Sequence, residues 1–301
     1  METNFFSICI PTYKQPLLLK TLLQSIDLQT FKNFEVIISD DSNDNSIELV
    51  TLEKWSFKLK YYKNEKPLGS PENWNNAIEK ANGKWIKLMH HDDYFANNDS
   101  LMIFYETISK NQEVDFFICS TIIYKTKTKE IIEYNPNQNY INTLEKLPVN
   151  LFFANVIGAP SATIFKRNIP IKFDKSLIWL VDIEYYTQII IKYKIHRLLD
   201  KLIVTCADLE TQLTTSLKDN KKIELFEFFY CYNKLRMLLD NQNKNIFINV
   251  LFDTIDKYSI KSVKEIKSLE ITITKNTLLY FYINTSSKII KKIIRKLSNT
   301  F

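Results

Sequence analysis

Apolar runs and polar turns alternate in a regular order over the first 120 residues. Residues 5–10 form a short apolar run closed by Pro11, which predicts a buried strand. Leu17, Leu18, Leu22, Leu23 and Ile26 then recur at the spacing of one helical face. Residues 34–38 predict a second strand, ended by the polar turn Ser39-Asp40-Asp41-Ser42-Asn43-Asp44. The pattern continues with a helix over 47–55, a strand over 59–62, a helix over 72–81 and a strand over 85–89. That last strand ends in His90-His91-Asp92-Asp93, and Gly83 stands where a helix C-cap glycine is expected.

This order implies an α/β fold whose central sheet is mostly parallel and covered by helices on both faces. Ligands of such sheets bind outside the carboxyl ends of the strands. Pro11-Thr12-Tyr13, Asp40-Asp41 and Asp92-Asp93 all fall there, so clusters far apart in sequence are expected on one rim. Strands over 115–124, 162–165 and 195–205 and a helix over 182–193 follow. From about residue 221 the pattern is helical, rich in Phe, Leu, Ile and Lys, with neither Gly nor Pro. A boundary near 218 is expected, giving units 1–218 and 219–301.

Composition narrows the chemistry. With 45% apolar and 25% charged residues in 301, the chain has enough material for a sizeable core. It contains three glycines, Gly69, Gly83 and Gly158, too dispersed for a dinucleotide fingerprint or a P-loop. Phosphates would therefore be met by side chains or a metal. The net charge of +6 is local: after Glu270 there is no acidic residue and six basic ones, and residues 1–270 balance at 34 of each sign. A neutral body argues against a nucleic-acid-binding face. Cys9, Cys119, Cys206 and Cys231 are widely spaced and read as buried free thiols of a reducing compartment. The opening Met1-Glu2-Thr3-Asn4 carries no signal-peptide pattern, and no apolar run reaches the roughly 20 residues that span a bilayer. A cytoplasmic location, or one on the cytoplasmic face of the membrane, is expected.

Asp92-Asp93 at a strand end suits a hard divalent cation, which completes its shell with substrate phosphates. Each acidic pair could instead cap a turn or helix. Beyond this, Phe6-Ser7-Ile8-Cys9-Ile10-Pro11-Thr12-Tyr13-Lys14, Ser25-Ile26-Asp27-Leu28-Gln29-Thr30 and Phe34-Glu35-Val36-Ile37-Ile38-Ser39-Asp40-Asp41-Ser42 follow one another as ordered blocks. They open a resemblance, over residues 6–215, to family 2 glycosyltransferases of the GT-A fold. Asn73-Trp74-Asn75-Asn76-Ala77-Ile78 and Ala81-Asn82-Gly83-Lys84-Trp85-Ile86 lead into a metal-binding strand end, here His91-Asp92-Asp93. The likeness is greatest to bacterial enzymes that build O-antigen or capsular polysaccharide.

The resemblance implies a nucleotide-sugar half (about 1–115) and an acceptor half (116–218). Pro11 and Tyr13, with Thr12 between them, would flank the base of a nucleoside-diphosphate sugar, a UDP-sugar foremost. Asp41 would accept a hydrogen bond from that base, Asn73 would line the pocket, Asp92 would face the ribose or sugar, and Asp93 would hold Mn2+ or Mg2+. Asp182, opening a helix after Trp179-Leu180-Val181, would be the base of an inverting transfer, with Val181 where Glu is usual. Glu184 points elsewhere on that helix. Gly158 and Ser161, in Gly158-Ala159-Pro160-Ser161-Ala162-Thr163, would admit a saccharide acceptor, lipid-linked by analogy, or form an ordinary turn into a strand.

A histidine that completes the metal shell in many relatives is missing from Ala207-Asp208-Leu209-Glu210-Thr211-Gln212-Leu213-Thr214, so Asp208, Glu210 or water would substitute. His196 reads as structural, and adjacent His90 and His91 are not expected to form a zinc site. Residues 287–297 place Ile289, Ile290, Ile293, Ile294 and Leu297 on one helical face and five basic residues on the other. Such a helix suits an anionic membrane surface, or packs on the body with its basic face in water. The rival readings are a non-catalytic sugar-nucleotide or glycan-binding module, and a transferase of another phosphate-linked group on the same fold.

Overall fold

A computed structural model describes residues 4–135, 138–209, 217, 219–273, 275 and 278. The chain divides into two compact units, Met1–Thr215 and Ser216–Phe301. In the first, β1 (Phe6–Thr12), α1 (Pro16–Asp27), β2 (Phe34–Asp40), α2 (Ser46–Thr51), β3 (Leu59–Lys63), α3 (Glu72–Glu79) and β4 (Trp85–Leu88) follow the expected alternation. Then come β5 (Tyr94–Phe95), α4 (Ser100–Lys110), β6 (Phe116–Lys125), β7 (Ile131–Tyr134), α5 (Gln138–Leu144), β8 (Thr163–Lys166), α6 (Val181–Lys192) and β9 (Ile195–Ala207).

The sheet runs β3-β2-β1-β4-β8-β6-β9-β5, with β7 hanging on β6. β1 and β2 are buried at every position, which is why they read as continuous apolar runs rather than alternating ones. α1 lays Leu19, Leu22, Leu23 and Ile26 on that core. Parallel pairing holds among β1–β4 and between β6 and β9. The pairs β4–β8, β8–β6, β6–β7 and β5–β9 are antiparallel, so the sheet is parallel in its first half and mixed beyond it. The reason is connectivity: a hairpin such as β6–β7 reverses the chain, whereas a parallel pair needs a longer crossover.

Local details depart from the sequence pattern. β1 runs through Pro11 to Thr12 because its pairing with β4 stops at Cys9, and the missing Pro11 N–H costs no ladder bond there. α2 stops at Thr51, and Trp55 folds back so that its indole N–H donates to the Val50 carbonyl at 3.2 Å. Gly83 is no helix cap, since α3 closes at Lys80. A Cβ at Gly83 would stand 2.6 Å from Phe6 C and Ser7 N, so glycine is required there by the close approach of β1.

The second unit contains α7 (Lys221–Leu235), α8 (Asn241–Lys257) and α9 (Val263–Lys267). Asn220, Asp240 and Ser262 cap them through side-chain oxygens. The basic segment 287–297 and residues 279–283 lie outside the described residues. Among the described residues, no helix is long and apolar enough to cross a membrane.

Candidate active site

The three polar clusters do meet at the carboxyl ends of β1, β2 and β4. The Asp41 N–H donates to the Thr12 carbonyl at 2.9 Å, and the Met89 N–H to Cys9 at 2.9 Å. Asp41 is buried. Its carboxylate accepts from the N–H groups of Leu68 (3.0 Å) and Gly69 (2.8 Å) and from Asn64 Nδ2 (2.6 Å). It therefore ties the 67–69 loop to the strand ends and retains one of roughly four acceptor positions. Asp40 turns inward, meeting the Tyr61 hydroxyl and the Ser42 N–H.

Asn73 is buried too: its Nδ2 donates to the carbonyls of Thr12 (3.2 Å) and Ser39 (3.1 Å), and its Oδ1 accepts from Asn64. It pins the end of β1 to that of β2. Pro11 and Thr12 are buried, and Thr12 Oγ1 faces Asp40 at 3.3 Å. Tyr13 stands 52% exposed as the open member of that trio. Lys14 and Gln15 after it both take left-handed backbone (φ 56 and 60), a strained turn of the kind found at ligand clamps.

The acidic turn lies between β4 and β5. His90, Asp92 and Asp93 bring their ligand atoms within 4.8 Å of one another. Asp93 is buried, its Oδ1 accepts the Cys206 N–H at 3.2 Å, and the Ser161 hydroxyl bonds it as well. Burial first, and then the neighbouring Asp92, push the Asp93 carboxyl well above the usual carboxylate range. Burial pushes the His90 imidazole down to about 4, so it is neutral at pH 7, and its Nε2 is closed from solvent without a hydrogen-bond partner. An orphaned imidazole nitrogen beside two carboxylates is a donor set that fits a divalent cation, with the nitrogen favouring Mn2+ over Mg2+. Asp208, exposed, is not of this group. Glu210 lies outside the described residues.

Under the turn is Lys87, fully buried on β4. Its ammonium donates to the Ser161 and Thr163 carbonyls, and burial pushes it down to about 8. The Asp93 carboxyl nearby acts against that depression.

On the other side, Asp182 sits half-buried in the first turn of α6. Its Oδ1 accepts the Ile183 N–H at 2.9 Å and its Oδ2 accepts from Asn155 Nδ2 at 2.8 Å. Glu184 is buried, with Oε1 accepting from Gln188. Gly158 has φ +90, which only glycine adopts without strain, and its carbonyl accepts from the Tyr186 hydroxyl at 3.2 Å. Ser161 is fully buried, and its Oγ accepts the His90 N–H at 3.0 Å. Its hydroxyl thus serves the acidic turn.

An aromatic series bridges the same space. The Trp74 ring lies 4.6 Å from His90 and 5.2 Å from Phe173, which stacks on Tyr185 of α6 at 4.0 Å. Asn75 clasps the Phe173 backbone at both N–H (3.0 Å) and carbonyl (2.8 Å).

Residues 7–170 match the model of glycosyl transferase family 2. The chain belongs to this family. Among curated relatives, it is 33% identical over 90 residues to the GalNAc(5)-diNAcBac-PP-undecaprenol beta-1,3-glucosyltransferase of Campylobacter jejuni, covering 29% of each chain. It is 30% identical over 149 residues to abequosyltransferase RfbV of Salmonella typhimurium, covering 48% of this chain and 43% of the relative. The family member described here thus spans less than half the length of either relative. Its fold is shared with S. aureus TarS 1-349 in complex with UDP-GlcNAc, at a TM-score of 0.64 and 18% identity over 89% of this chain and 76% of that one. Mannosyltransferase PcManGT of Pyrobaculum calidifontis, in complex with GDP-Man and Mn2+, aligns at 0.56 with 14% identity, over 97% and 83%. The architecture is GT-A, with a helical C-terminal region.

Sequence reasoning passed over Trp74, Lys87 and Asn155, and weighed His90 only with His91 as a zinc pair. His90 carried a signal, standing two and three residues before the carboxylates it joins. Asn155 carried none, because 27 residues separate it from Asp182.

Proposed function

We propose that this family 2 member transfers a sugar, with inversion, from a nucleoside diphosphate to a hydroxyl of a saccharide, with Asp182 as base and Mn2+ or Mg2+ held by Asp93, Asp92 and His90. The observation that carries the reading is the 155–162 loop: Asn155 bonds Asp182 at one end, and Ser161 bonds His90 and Asp93 at the other. Six residues reach at most about 21 Å when extended, so one short segment tethers the base to the acidic turn. Asp182 takes the proton of the acceptor hydroxyl as that oxygen attacks the anomeric carbon and the bond to the diphosphate breaks. A cation bound at the acidic turn would offset the charge of the departing diphosphate as a Lewis acid.

The free acceptor position of Asp41 suits a base N–H, and exposed Tyr13 offers a ring for stacking, which supports a UDP-sugar. The undecaprenol-linked name of the Campylobacter relative supports a lipid-linked acceptor in surface polysaccharide synthesis. The basic amphipathic pattern of 287–297 supports peripheral attachment to the cytoplasmic face of the membrane. The test is nucleotide release from a panel of UDP-, GDP- and dTDP-sugars with Mn2+ or Mg2+. Asp182→Asn is expected to lower turnover about 10²- to 10⁴-fold while donor binding stays unchanged. Full turnover in that variant would remove Asp182 as base.

A further inference from the structure

The Asn155 side chain is used completely. Its Oδ1 accepts the N–H groups of Ile157 (3.2 Å) and Gly158 (3.0 Å). Its Nδ2 donates to the Gly158 carbonyl (3.2 Å) and to Asp182 Oδ2 (2.8 Å). An amide offers two hydrogens and two lone pairs, and all four are engaged. The orientation is thereby dictated: turned over, the amide would set its NH2 against two N–H groups and its oxygen against a carboxylate. The nitrogen must face Asp182. The Tyr186 hydroxyl, one helical turn after Asp182, closes the ring on the Gly158 carbonyl.

We infer that Asn155 is a positioning residue of the transfer reaction, holding the Asp182 carboxylate in place as an acceptor and joining the base to the turn around Gly158. The inference rests on the reading of Asp182 as base. A donor to Oδ2 and the Ile183 N–H on Oδ1 hold both oxygens, which restricts rotation of the carboxylate. A hydrogen-bond donor at 2.8 Å also favours the ionised form, the form that takes a proton.

Asn155→Asp separates this role from a structural one. The aspartate keeps an oxygen for the N–H groups of Ile157 and Gly158 but replaces the donor that serves both Asp182 and the Gly158 carbonyl with a second oxygen, so stability is read beside turnover. Two carboxylates at that distance do not both stay ionised. For the sugar nucleotide of the UDP-, GDP- and dTDP-sugar panel that turns over fastest, kcat is expected to fall about 10- to 100-fold with donor KM unchanged. Asn155→Ser, which keeps a hydroxyl donor, is expected to retain more turnover than Asn155→Asp, with melting temperatures recorded for both.

In an Asp182→Asn background the Asn155→Asp change is expected to cost nothing further, as for residues acting through one another. The inference is overturned if Asn155→Asp stays within about twofold of the unaltered protein. It is equally overturned if Asn155→Ser is no better than Asn155→Asp, or if the loss persists at full size in the Asp182→Asn background. Full turnover of Asp182→Asn alone overturns the base assignment instead, so the two failures are told apart.

Discussion

The Ser161 hydroxyl accepts the backbone N–H of His90 at 3.0 Å across 71 residues of sequence, and it bonds Asp93 as well. One buried hydroxyl therefore serves two members of the acidic turn. Ser161→Ala leaves a part-buried N–H unmet and removes a partner of Asp93, a loss of about 1–3 kcal/mol. Denaturation is expected to show that loss, and Mn2+ titration to show weaker binding in the same variant.

The acidic turn should separate its ligands by metal type. His90→Gln is expected to weaken Mn2+ more than Mg2+, because the imidazole nitrogen is the softer donor. Asp93→Ala is expected to remove the metal-dependent part of donor binding, read by calorimetry with and without Mn2+. Equal loss for both metals in His90→Gln would take the imidazole out of the ligand set.

Gly83→Ala tests the close approach of β1. The added methyl would meet backbone atoms of Phe6 and Ser7 at 2.6 Å, and backbone cannot swing aside as a side chain tip can. A destabilisation of at least about 1–3 kcal/mol is expected in urea denaturation. A neutral outcome would show that β1 yields.

Glu35 sets an acid limit. Burial alone would push its carboxyl up, but bonds from Lys60 Nζ, Ser7 Oγ and the Asn82 N–H outweigh it and hold the group below its ordinary 4.5. A folded-state value below the unfolded one means stability that is present above about pH 4.5 and lost as pH falls through the folded value. Glu35→Gln is expected to be less stable than the unaltered protein at pH 7, with the gap closing below pH 4.5. Denaturant titrations at several pH values measure it, and a constant gap would refute the linkage.

The parallel half of the fold was legible because β1, β2 and β4 are buried on both faces and the helices carry a single apolar stripe. The rim clusters followed from topology. What failed to show was each side chain's direction. Asn73 and Ser161 stand in segments matching the family, yet both turn inward to satisfy backbone groups. Lys87 reads as one polar residue in an apolar strand, and nothing local tells that its ammonium ends among the carbonyls of a segment 74 residues on. Asn155 joins Asp182 only through tertiary structure. The mixed half of the sheet was hidden for the same reason: hairpins and long-range pairs leave little periodic signature.

The partners of Asp93 carry a consequence for the order of assembly. A chain grows from its amino end, and β1–β4 with their helices are complete as soon as residue 88 has been made. Asp93 then still lacks Ser161, and its other partner, the Cys206 N–H, lies 113 residues downstream. A nascent chain halted between residues 93 and 206 holds the complete β1–β4 unit and an acidic turn still short of its partners. The acidic turn is thus the last part of this rim to be completed, when the final strand of the sheet is added.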